Sequence, residues 1–287
     1  MATTGKAHDE AAIANGTGQG DIVTAEELGT MRYELRGAGA WIVFTRPERR
    51  NCLNDDVIAE LRLCLARAAA DPDVRAVVIT GSGGAFCAGA DLSFVQSLTG
   101  PKEIVARFLQ PLTEALREIR ELPKPVVAAI NGHCVAGGVE MMLVCDLVLA
   151  AADATIADGH ARHGLLPAIG GAHGLSRALG PHKAKEMLFT ADSYTGAELA
   201  AMNLVNRAVP ADQLGNATAA LVATLAARSP SGLARMKQMV NAETDMSWEH
   251  SARYELAHAE AHLASGVPAE GLAAFLQRRE PTFGPDQ

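Results

Sequence analysis

Two glycine-rich stretches of the sequence have a composition and spacing suited to main-chain catalysis. They are GSGGAFCAGADL (residues 81–92) and INGHCVAGGVEM (residues 130–141), and each follows an apolar run and leads into a helix. We expect these helices to begin near Asp91 and near Gly137. The first N–H groups of a helix lack partners within the helix, and small residues let a ligand approach the main chain. Two such helix starts that face each other would form an oxyanion hole.

One carboxylate, Glu140, lies close to the second helix start. It follows Gly137 by three residues, which is nearly one helical turn. A carboxylate there could activate water or remove a proton from carbon. The alternative interpretation is structural, since an acidic residue in a first helical turn stabilises the helix by about 0.3–1 kcal/mol. The residues alone leave both interpretations open, and Glu140 is taken as the lone carboxylate beside the two turns.

A group of titratable residues follows in DGHARHGLLPAIGG, residues 158–171. His160 is a candidate general acid, because an unperturbed imidazole has a pKa of about 6.5. Asp158 could orient His160 through a hydrogen bond, although residues two apart on a strand share a face without necessarily touching. Arg162 and His163 are interpreted as solvated rim residues. No metal site is predicted, because the two histidines lack a third ligand at suitable spacing.

The segments that position these residues alternate between strand and helix patterns. AWIVFTRP, RAVVITG and KPVVAAING are short apolar runs typical of strands in a buried parallel sheet. NDDVIAELRLCLARAAADPD predicts an amphipathic helix with Asn54 as its N-cap and Asp71-Pro72 as its end. EMMLVCDLVLAA is divided into a short helix, up to about Leu143 or Val144, and a strand over 147–151, because Asp146 interrupts the run.

The two ends of the chain differ from its middle. Residues 1 to about 28 are rich in Gly, Ala, Thr and Asn, and too few large apolar groups are present to offset the entropy of ordering. After about residue 182 the pattern becomes helical. We therefore predict a disordered tail over 1–28, a catalytic core over 29–228 and a C-terminal helical region over 229–287. Apolar and alanine-rich faces in that last region suit packing on a partner subunit.

Composition narrows the classes of function. The 287 residues are 48% hydrophobic, which is ample for a buried core. The net charge is −8 and no long Lys/Arg cluster is present, so nucleic acid is not an expected partner. Five scattered cysteines without CxxC spacing predict neither a disulfide framework nor a zinc site and favour a reducing cytoplasm. No signal peptide or membrane segment is predicted, so a membrane is not an expected partner either.

Taken together and in this order, the motifs resemble the enoyl-CoA hydratase/isomerase family, also called the crotonase superfamily. The resemblance covers about residues 31–284. The matching stretches are RPERRN, DPDVRAVVITGSGGAFCAGADL, PKPVVAAINGHCVAGGVEMMLVCDLVLAAADATI, GLLPAIGG, LFTADSYTGAELAAMNLVNRAVP and GLAAFLQRREPTF.

The resemblance implies a fold, a substrate and an assembly. The fold would be an α/β spiral of ββα units with a C-terminal helical trimerisation region, and the protein would form a homotrimer or a dimer of trimers. The substrate would be an acyl-CoA thioester, with no cofactor besides the coenzyme A that the substrate carries. The main-chain N–H groups of Ala90 and Gly137 match the family's oxyanion hole, and Glu140 matches the first of two glutamates that its hydratases use.

The same comparison assigns the coenzyme A contacts. Ala88, Asp91 and Leu92 lie where the family touches the CoA moiety. Near the C-terminus, Arg278 and Arg279 stand where relatives carry Lys or Arg close to the CoA phosphates. Solvated surface is the equal alternative for these two arginines.

The sequence departs from the family at the second acid/base position. Twenty residues after Glu140, where the hydratases usually place their second glutamate, this chain has His160. Hydration of an enoyl-CoA, with Glu140 activating water and His160 protonating carbon, is the predicted reaction. Isomerisation of an enoyl-CoA, hydrolysis of a C–C bond in a β-diketone or β-ketoacyl substrate, and acyl-CoA binding without catalysis are the alternatives.

Overall fold

The computed structural model describes residues 22–243, 246–285 and 287. The strands are β1 (Ile22–Glu27), β2 (Met31–Arg36), β3 (Gly39–Phe44), β4 (Ala76–Gly81), β5 (Ala85–Cys87), β6 (Val126–Ile130), β7 (His133–Val135), β8 (Leu147–Ala151), β9 (Thr155–Ala157), β10 (Tyr194–Thr195) and β11 (Arg207–Val209). The helices are α1 (Asp55–Ala70), α2 (Leu92–Ser97), α3 (Gly100–Ile104), α4 (Gln110–Glu121), α5 (Gly137–Val144), α6 (Gly171–Thr190), α7 (Gly196–Ala201), α8 (Leu214–Ala226), α9 (Pro230–Glu243), α10 (Trp248–Ala264) and α11 (Val267–Gln277). A π-helical turn, Val105–Leu109, joins α3 to α4.

The strands form two sheets, and the chain passes from one to the other in a regular way. The larger sheet has the order β1-β2-β3-β4-β6-β8-β11 and the smaller sheet the order β10-β9-β7-β5. In three successive units, a strand of the larger sheet (β4, β6 or β8) is followed by a strand of the smaller sheet (β5, β7 or β9) and then by a helix. The prediction of an α/β spiral of ββα units is confirmed.

The smaller sheet decides where the chemistry can lie. β5 pairs with β7 and β7 pairs with β9, and both pairings are parallel. The carboxyl ends of these three strands therefore lie side by side at one edge of the sheet. The residues that follow the three strands are 88–91, 136–140 and 158–160, which include the predicted catalytic residues. The fold thus brings together three segments that are distant in sequence.

Helices cover both faces of the larger sheet and bury its side chains. All six residues of β3 are buried, as are all five of β6, which explains why these strands are continuous apolar runs. One core lies on the side of α1 and α4, and a second, smaller core lies between the sheet and α8. Asn54 caps α1 by accepting a hydrogen bond from the Val57 N–H at 3.0 Å, as predicted.

The split of EMMLVCDLVLAA is also confirmed, since α5 ends at Val144 and β8 begins at Leu147. Between them, Asp146 accepts hydrogen bonds from the Val126 N–H and from Lys237 Nζ, both at 2.7 Å. A partly buried carboxylate is stabilised by such partners. These contacts tie α9 to the strands of the larger sheet.

Two boundaries differ from the prediction. Residues 22–27, placed in the predicted tail, form strand β1, which pairs antiparallel with β2. The main-chain hydrogen bonds that β2 offers order a segment whose own composition does not predict a strand. The rest of the predicted tail, 1–21, lies outside the described residues. Helix α6 begins at Gly171 rather than near 182, and its axis is broken at Gly180-Pro181.

The five cysteines are free thiols. The helices of the described ranges include none that is both long and apolar enough to cross a membrane. The C-terminal region consists of helices α9 to α11, which is the secondary structure predicted for it.

Candidate active site

The first glycine turn links β5 to α2 and contains Ala90. The Leu53 N–H donates to Gly89 O at 2.8 Å, and the Asp91 N–H donates to Leu53 O at 2.8 Å. Leu53 therefore pairs with the residues on both sides of Ala90, as in a parallel β-bridge. The N–H of Ala90 consequently points away from Leu53, toward the opposite side of the turn.

Asp91 fixes the start of α2. Its Oδ1 accepts hydrogen bonds from the Ser93 and Phe94 N–H groups at 3.2 and 3.4 Å, and its Oδ2 accepts one from Arg46 Nη2 at 3.1 Å. Burial raises the pKa of Asp91, but the hydrogen bonds from Arg46, Cys52 and the Phe94 N–H outweigh it and hold the pKa below its usual value. The carboxylate is thus an anion held by a helix start and a guanidinium.

The second glycine turn links β7 to α5, whose first residue is Gly137. Ala136 takes the conformation φ 52°, ψ −114°, which is strained for a residue with a side chain. Helix α5 begins at the next residue, Gly137, and has no side-chain cap. A Cβ on Gly138 would lie 2.3 Å from Cys87 O, so only glycine lets α5 pack this closely on the end of β5.

The two turns are in direct contact. An ideal Cβ on Gly89 would lie 3.2 Å from Gly137 N and 3.0 Å from the Ala136 side chain. A Cβ on Gly137 would lie 3.6 Å from Gly89 Cα. The two helix starts predicted from the sequence are therefore neighbours, and the amides of Ala90 and Gly137 lie on adjoining turns.

Glu140 lies one turn into α5 and is buried, with 3% of its surface exposed. Its Oε1 accepts hydrogen bonds from the Ile169 and Gly171 N–H groups, at 2.9 and 3.2 Å. These donors belong to the GLLPAIGG bend and the start of α6, so the bend serves to hold the carboxylate. Burial raises the pKa of Glu140, and it outweighs the opposing effect of the two N–H donors.

His160 follows β9 and is hydrogen-bonded to Asp158. The distance from His160 Nδ1 to Asp158 Oδ1 is 3.0 Å, and the His160 N–H donates to the same oxygen at 3.3 Å. Asp158 is fully buried, and its Oδ2 has no hydrogen-bond partner in the described part of the chain. The contact between Asp158 and His160, left open by the sequence, is therefore made.

Glu140, Asp158 and His160 act on one another electrostatically. Burial lowers the pKa of His160, but the hydrogen bond and charge of Asp158 and the charge of Glu140 outweigh it, so the pKa lies above its ordinary value. The charge of His160 in turn lowers the pKa of Glu140, and that of Asp158 raises it. The expectation that Glu140 is the lone carboxylate beside the two turns is therefore wrong, because Asp158 lies at the site as well.

The remaining predicted residues lie at the borders of the site or away from it. Ala88 is half-buried at the start of the first turn, and Leu92 is exposed as the first residue of α2. Arg278 is exposed at the end of α11, and its neighbour Arg279 is occupied by a salt bridge to Glu270 at 2.6 Å. Positions 162 and 163 are exposed, as expected of rim residues.

Some supporting contacts were not predicted from the sequence. Asn51, within the RPERRN motif, is buried and donates through Nδ2 to Ser82 O and Ala85 O, at 3.2 and 2.7 Å, which fixes the chain ahead of the first turn. The N–H donors to Glu140 belong to the main chain and leave no side-chain signal. The Asp-Gly-His order at 158–160 was a usable signal for the hydrogen bond to His160, since glycine permits the sharp reversal.

The fold and this site define a class of protein: an α/β spiral with two adjoining helix starts and a buried carboxylate beside them. Comparison with known families agrees. The model of the family described as enoyl-CoA hydratase/isomerase matches residues 36–286. The chain belongs to the enoyl-CoA hydratase/isomerase family, as the resemblance of its motifs indicated.

Individual relatives show the same similarity. The chain is 33% identical to a protein of Mycobacterium bovis named as a probable enoyl-CoA hydratase, over 84% of this chain and 93% of that one. It is 33% identical to the mitochondrial enoyl-CoA hydratase domain-containing protein 2 of Bos taurus, over 85% and 83%. The crystal structure of an enoyl-CoA hydratase from Polaromonas sp. JS666 superposes with a TM-score of 0.86 at 30% identity, covering 89% of this chain and all of that one.

Proposed function

We propose that this protein is an enoyl-CoA hydratase, which adds water reversibly across the 2,3-double bond of an enoyl-CoA thioester. The observation that carries the proposal is the direct contact between the turns of Gly89 and Gly137, with Glu140 buried one helical turn beyond. Family membership supports a CoA-thioester substrate. The site then needs no cofactor besides the coenzyme A of the substrate itself.

The two main-chain amides would stabilise the charge that develops during addition. When a hydroxyl adds to C3, the electron pair of the double bond moves toward the thioester, and negative charge builds on the thioester oxygen. N–H donors of Ala90 and Gly137 that are already fixed at this oxygen lower the energy of the enolate-like state more than that of the substrate. The loss of one such donor typically costs about 10²- to 10³-fold in rate.

Glu140 and His160 would handle the protons. Glu140 takes one proton from water, and the remaining hydroxyl forms the C3–O bond. His160, as an imidazolium, gives a proton to C2, so that the enolate pair becomes a C–H bond. Transfer of the proton from Glu140 to His160 restores the starting state. The raised pKa of His160 supports its role as the acid, and the engagement of Glu140 Oε1 with two N–H groups leaves Oε2 for the water.

Coenzyme A would lie along the first turn. Ala88, Asp91 and Leu92 are at the mouth of that turn, and the carboxylate of Asp91 is already engaged with Arg46. The main-chain N–H of Asp91 is also engaged, with Leu53 O, so Asp91 would support CoA binding by fixing the first turn. Arg278 is the candidate for the CoA phosphates, since the guanidinium of Arg279 is held by Glu270.

The proposed assembly is a homotrimer or a dimer of trimers. Large apolar side chains in helices α9 to α11 are exposed, which monomeric proteins rarely allow over a contiguous surface. They are Met236, Val240, Trp248, Leu256, Leu263, Leu272, Phe275 and Leu276. Analytical ultracentrifugation tests this proposal directly, with a trimer or hexamer as the expected species.

Glu140→Gln is the sharpest test of the proposed reaction. Glutamine keeps an oxygen that can accept from the Ile169 and Gly171 N–H groups but cannot take a proton from water. We expect the rate of hydration of but-2-enoyl-CoA to fall by at least about 10²-fold, with binding of the saturated butanoyl-CoA retained in calorimetry. Hydration by this variant at the wild-type rate would refute the role of Glu140.

Glu118→Gln is the matched control for this test. It makes the same change on α4, where Glu118 forms a partly exposed salt bridge with Arg62 at 2.6 Å. Salt bridges of this kind contribute about 0–1 kcal/mol to stability. The control variant should therefore hydrate but-2-enoyl-CoA at the wild-type rate.

One observation favours a second candidate function, hydrolysis of a C–C bond in a β-diketone or β-ketoacyl substrate. The Asp158–His160 hydrogen bond is the arrangement that activates water or another nucleophile in many hydrolases. The products distinguish the two functions. Incubation with enoyl-CoA and β-ketoacyl-CoA thioesters, followed by mass spectrometry, gives a 3-hydroxyacyl-CoA in one case and two shorter fragments in the other.

A further inference from the structure

The turn Asp158-Gly159-His160 is built to hold one imidazole in one orientation. Asp158 Oδ1 accepts the main-chain N–H of His160 at 3.3 Å and lies 3.0 Å from its ring Nδ1. Two bonds from the same residue to one oxygen restrict both the backbone and the side-chain torsions of His160. Only 12% of the His160 side chain is exposed, so packing restricts the ring further.

Gly159 makes this reversal possible. It has φ 74°, a left-handed conformation that favours glycine. A Cβ at this position would also lie 2.8 Å from Val135 Cγ1, on the neighbouring strand β7. The short segment that joins Asp158 to His160 is therefore restricted to glycine at its centre for two independent reasons.

The hydrogen bond determines which ring nitrogen is available. A carboxylate without a proton can only accept, so the Nδ1 of His160 carries the hydrogen that points to Asp158. This leaves Nε2 as the nitrogen that exchanges protons. In water a neutral histidine favours the other form, with its hydrogen on Nε2, so the site reverses the ordinary preference.

We propose that Asp158 is a positioning residue that keeps His160 in the Nδ1–H form, so that Nε2 is the atom that gives and takes protons. The catalytic consequence of this proposal rests on the proposed function, whereas the structural part does not. Asp158 itself touches neither substrate nor reacting atoms in this assignment. It acts through His160, as an outer carboxylate orients a histidine in other enzymes.

The charges around His160 agree with this assignment. Among the described residues, two carboxylates act on its ring: Asp158, which directly follows β9, and Glu140, which lies in α5. Asp158 Oδ2 is buried without a partner, so the carboxylate depends on His160 for much of its compensation. The pair therefore favours the imidazolium, which is the form that a general acid needs.

Nuclear magnetic resonance of the free enzyme tests the structural part without any substrate. With ¹⁵N-labelled histidine, and with the His160 signals assigned by their loss in His160→Gln, long-range ¹H–¹⁵N spectra report which nitrogen is protonated. We expect neutral His160 to carry its hydrogen on Nδ1 and its pKa to lie above the ordinary value. Finding the hydrogen on Nε2 in the wild-type protein would overturn the proposal, and this measurement needs no variant of Asp158.

Asp158→Asn then tests the cause. Asparagine has the same shape without the charge, so the pKa of His160 should fall relative to wild type, and the limb of the pH–kcat profile that reports His160 should move to lower pH. We expect kcat to fall about 10- to 100-fold with KM nearly unchanged. An unchanged His160 titration in a folded Asp158→Asn protein would refute the positioning role. Asp153→Asn, an exposed aspartate in the β8–β9 turn, is the matched control and should change neither.

The two kinds of failure are distinguishable. If the wild-type protein does not hydrate enoyl-CoA but His160 still shows the Nδ1–H form, the proposed function is wrong and the positioning role stands. If hydration proceeds while His160 shows the Nε2–H form, the positioning role is wrong and the proposed function stands.

Discussion

Asp91 and Glu140 occupy similar places yet have opposite electrostatic environments. Both are buried, and both lie at the start of a helix that follows a glycine turn. The pKa of Asp91 is lowered, because hydrogen bonds from Arg46 and other donors outweigh burial. The pKa of Glu140 is raised, because burial outweighs the two N–H groups that it accepts from. The difference is that a guanidinium pairs with Asp91, whereas main-chain donors and His160 are what compensates Glu140 among the described residues.

The two carboxylates therefore suit different roles within one site. A carboxylate held permanently as an anion fixes the first turn, and a carboxylate whose charge is disfavoured is ready to accept a proton in the second. The second turn is also the strained one, since it contains Ala136 in a positive-φ conformation and has no side-chain cap. The first turn thus ends in a capped helix start, whereas the second contains a strained residue and leads into an uncapped helix.

Gly138→Ala should have the largest effect, because it separates the two turns. The new Cβ would lie 2.3 Å from Cys87 O, a backbone atom that cannot move without displacing β5. We expect a loss of about 3 kcal/mol or more in the free energy of unfolding and at least about 10²-fold in kcat/KM. Denaturant titration and steady-state kinetics measure both.

Gly84→Ala is the control for that variant, since no heavy atom lies within 4 Å of its new Cβ. It should change stability by no more than about 0.5 kcal/mol. If Gly138→Ala were equally harmless, the close packing of α5 on β5 would not be what positions the second amide.

Asp91→Ala comes next in size. It removes the N-cap of α2, which is worth about 0.5–2 kcal/mol, and leaves Arg46 without its carboxylate, so we expect a total loss of about 2 kcal/mol. Asp91→Asn keeps the cap acceptor and should cost less.

The lowered pKa of Asp91 allows a separate test by pH. Asp91 stabilises the wild-type protein above its unfolded-state pKa, and this contribution disappears as the pH falls through the folded-state pKa. Unfolding curves from pH 7 down to below the folded-state pKa of Asp91 should show wild type and Asp91→Ala converging.

Glu140→Gln should shift stability in the opposite direction. A carboxyl group with a raised pKa in the folded state destabilises that state at neutral pH, and this penalty vanishes as the pH falls below the unfolded-state pKa. The variant should therefore be more stable than wild type at pH 7, on the order of 1 kcal/mol, with no advantage in acid. Thermal unfolding at both pH values checks the sign, and a destabilised variant at pH 7 would contradict the comparison.

Ala136→Gly has the smallest expected effect. Glycine relieves the strain at φ 52°, of order 1–3 kcal/mol, but increases the entropy of the unfolded chain by about 0.4–1 kcal/mol. We expect Tm to stay the same or rise by a few degrees, at about 2–4 °C per kcal/mol for a chain of this size. A clear fall in Tm would show that the alanine conformation is not strained.

The sequence predicts the parts of this molecule whose signals are local. Apolar runs mark β3, β4 and β6, Asn54 marks the start of α1, and Asp146 marks the break between α5 and β8. The helix starts near Asp91 and Gly137 were predicted because glycine turns after strands have a recognisable composition. Each of these features depends on residues that are neighbours in the chain.

Features that depend on distant partners were not predicted. β1 forms only because β2 offers a strand edge, and α6 begins early because its Gly-rich first turn packs against Glu140. The donors to Glu140 come from the main chain of Ile169 and Gly171, about 30 residues later in the sequence, where side-chain identity carries no information on hydrogen bonding. Similarly, the sequence placed Asp158 near His160 but could not decide whether their side chains touch.

The most direct test of the central claim is a crystal structure with butanoyl-CoA, the saturated counterpart of but-2-enoyl-CoA, which has no double bond to hydrate. We expect the thioester oxygen to lie about 2.7–3.1 Å from both Ala90 N and Gly137 N, with Glu140 facing C3. A thioester oxygen that contacts neither amide, in a complex with well-ordered coenzyme A, would contradict the account.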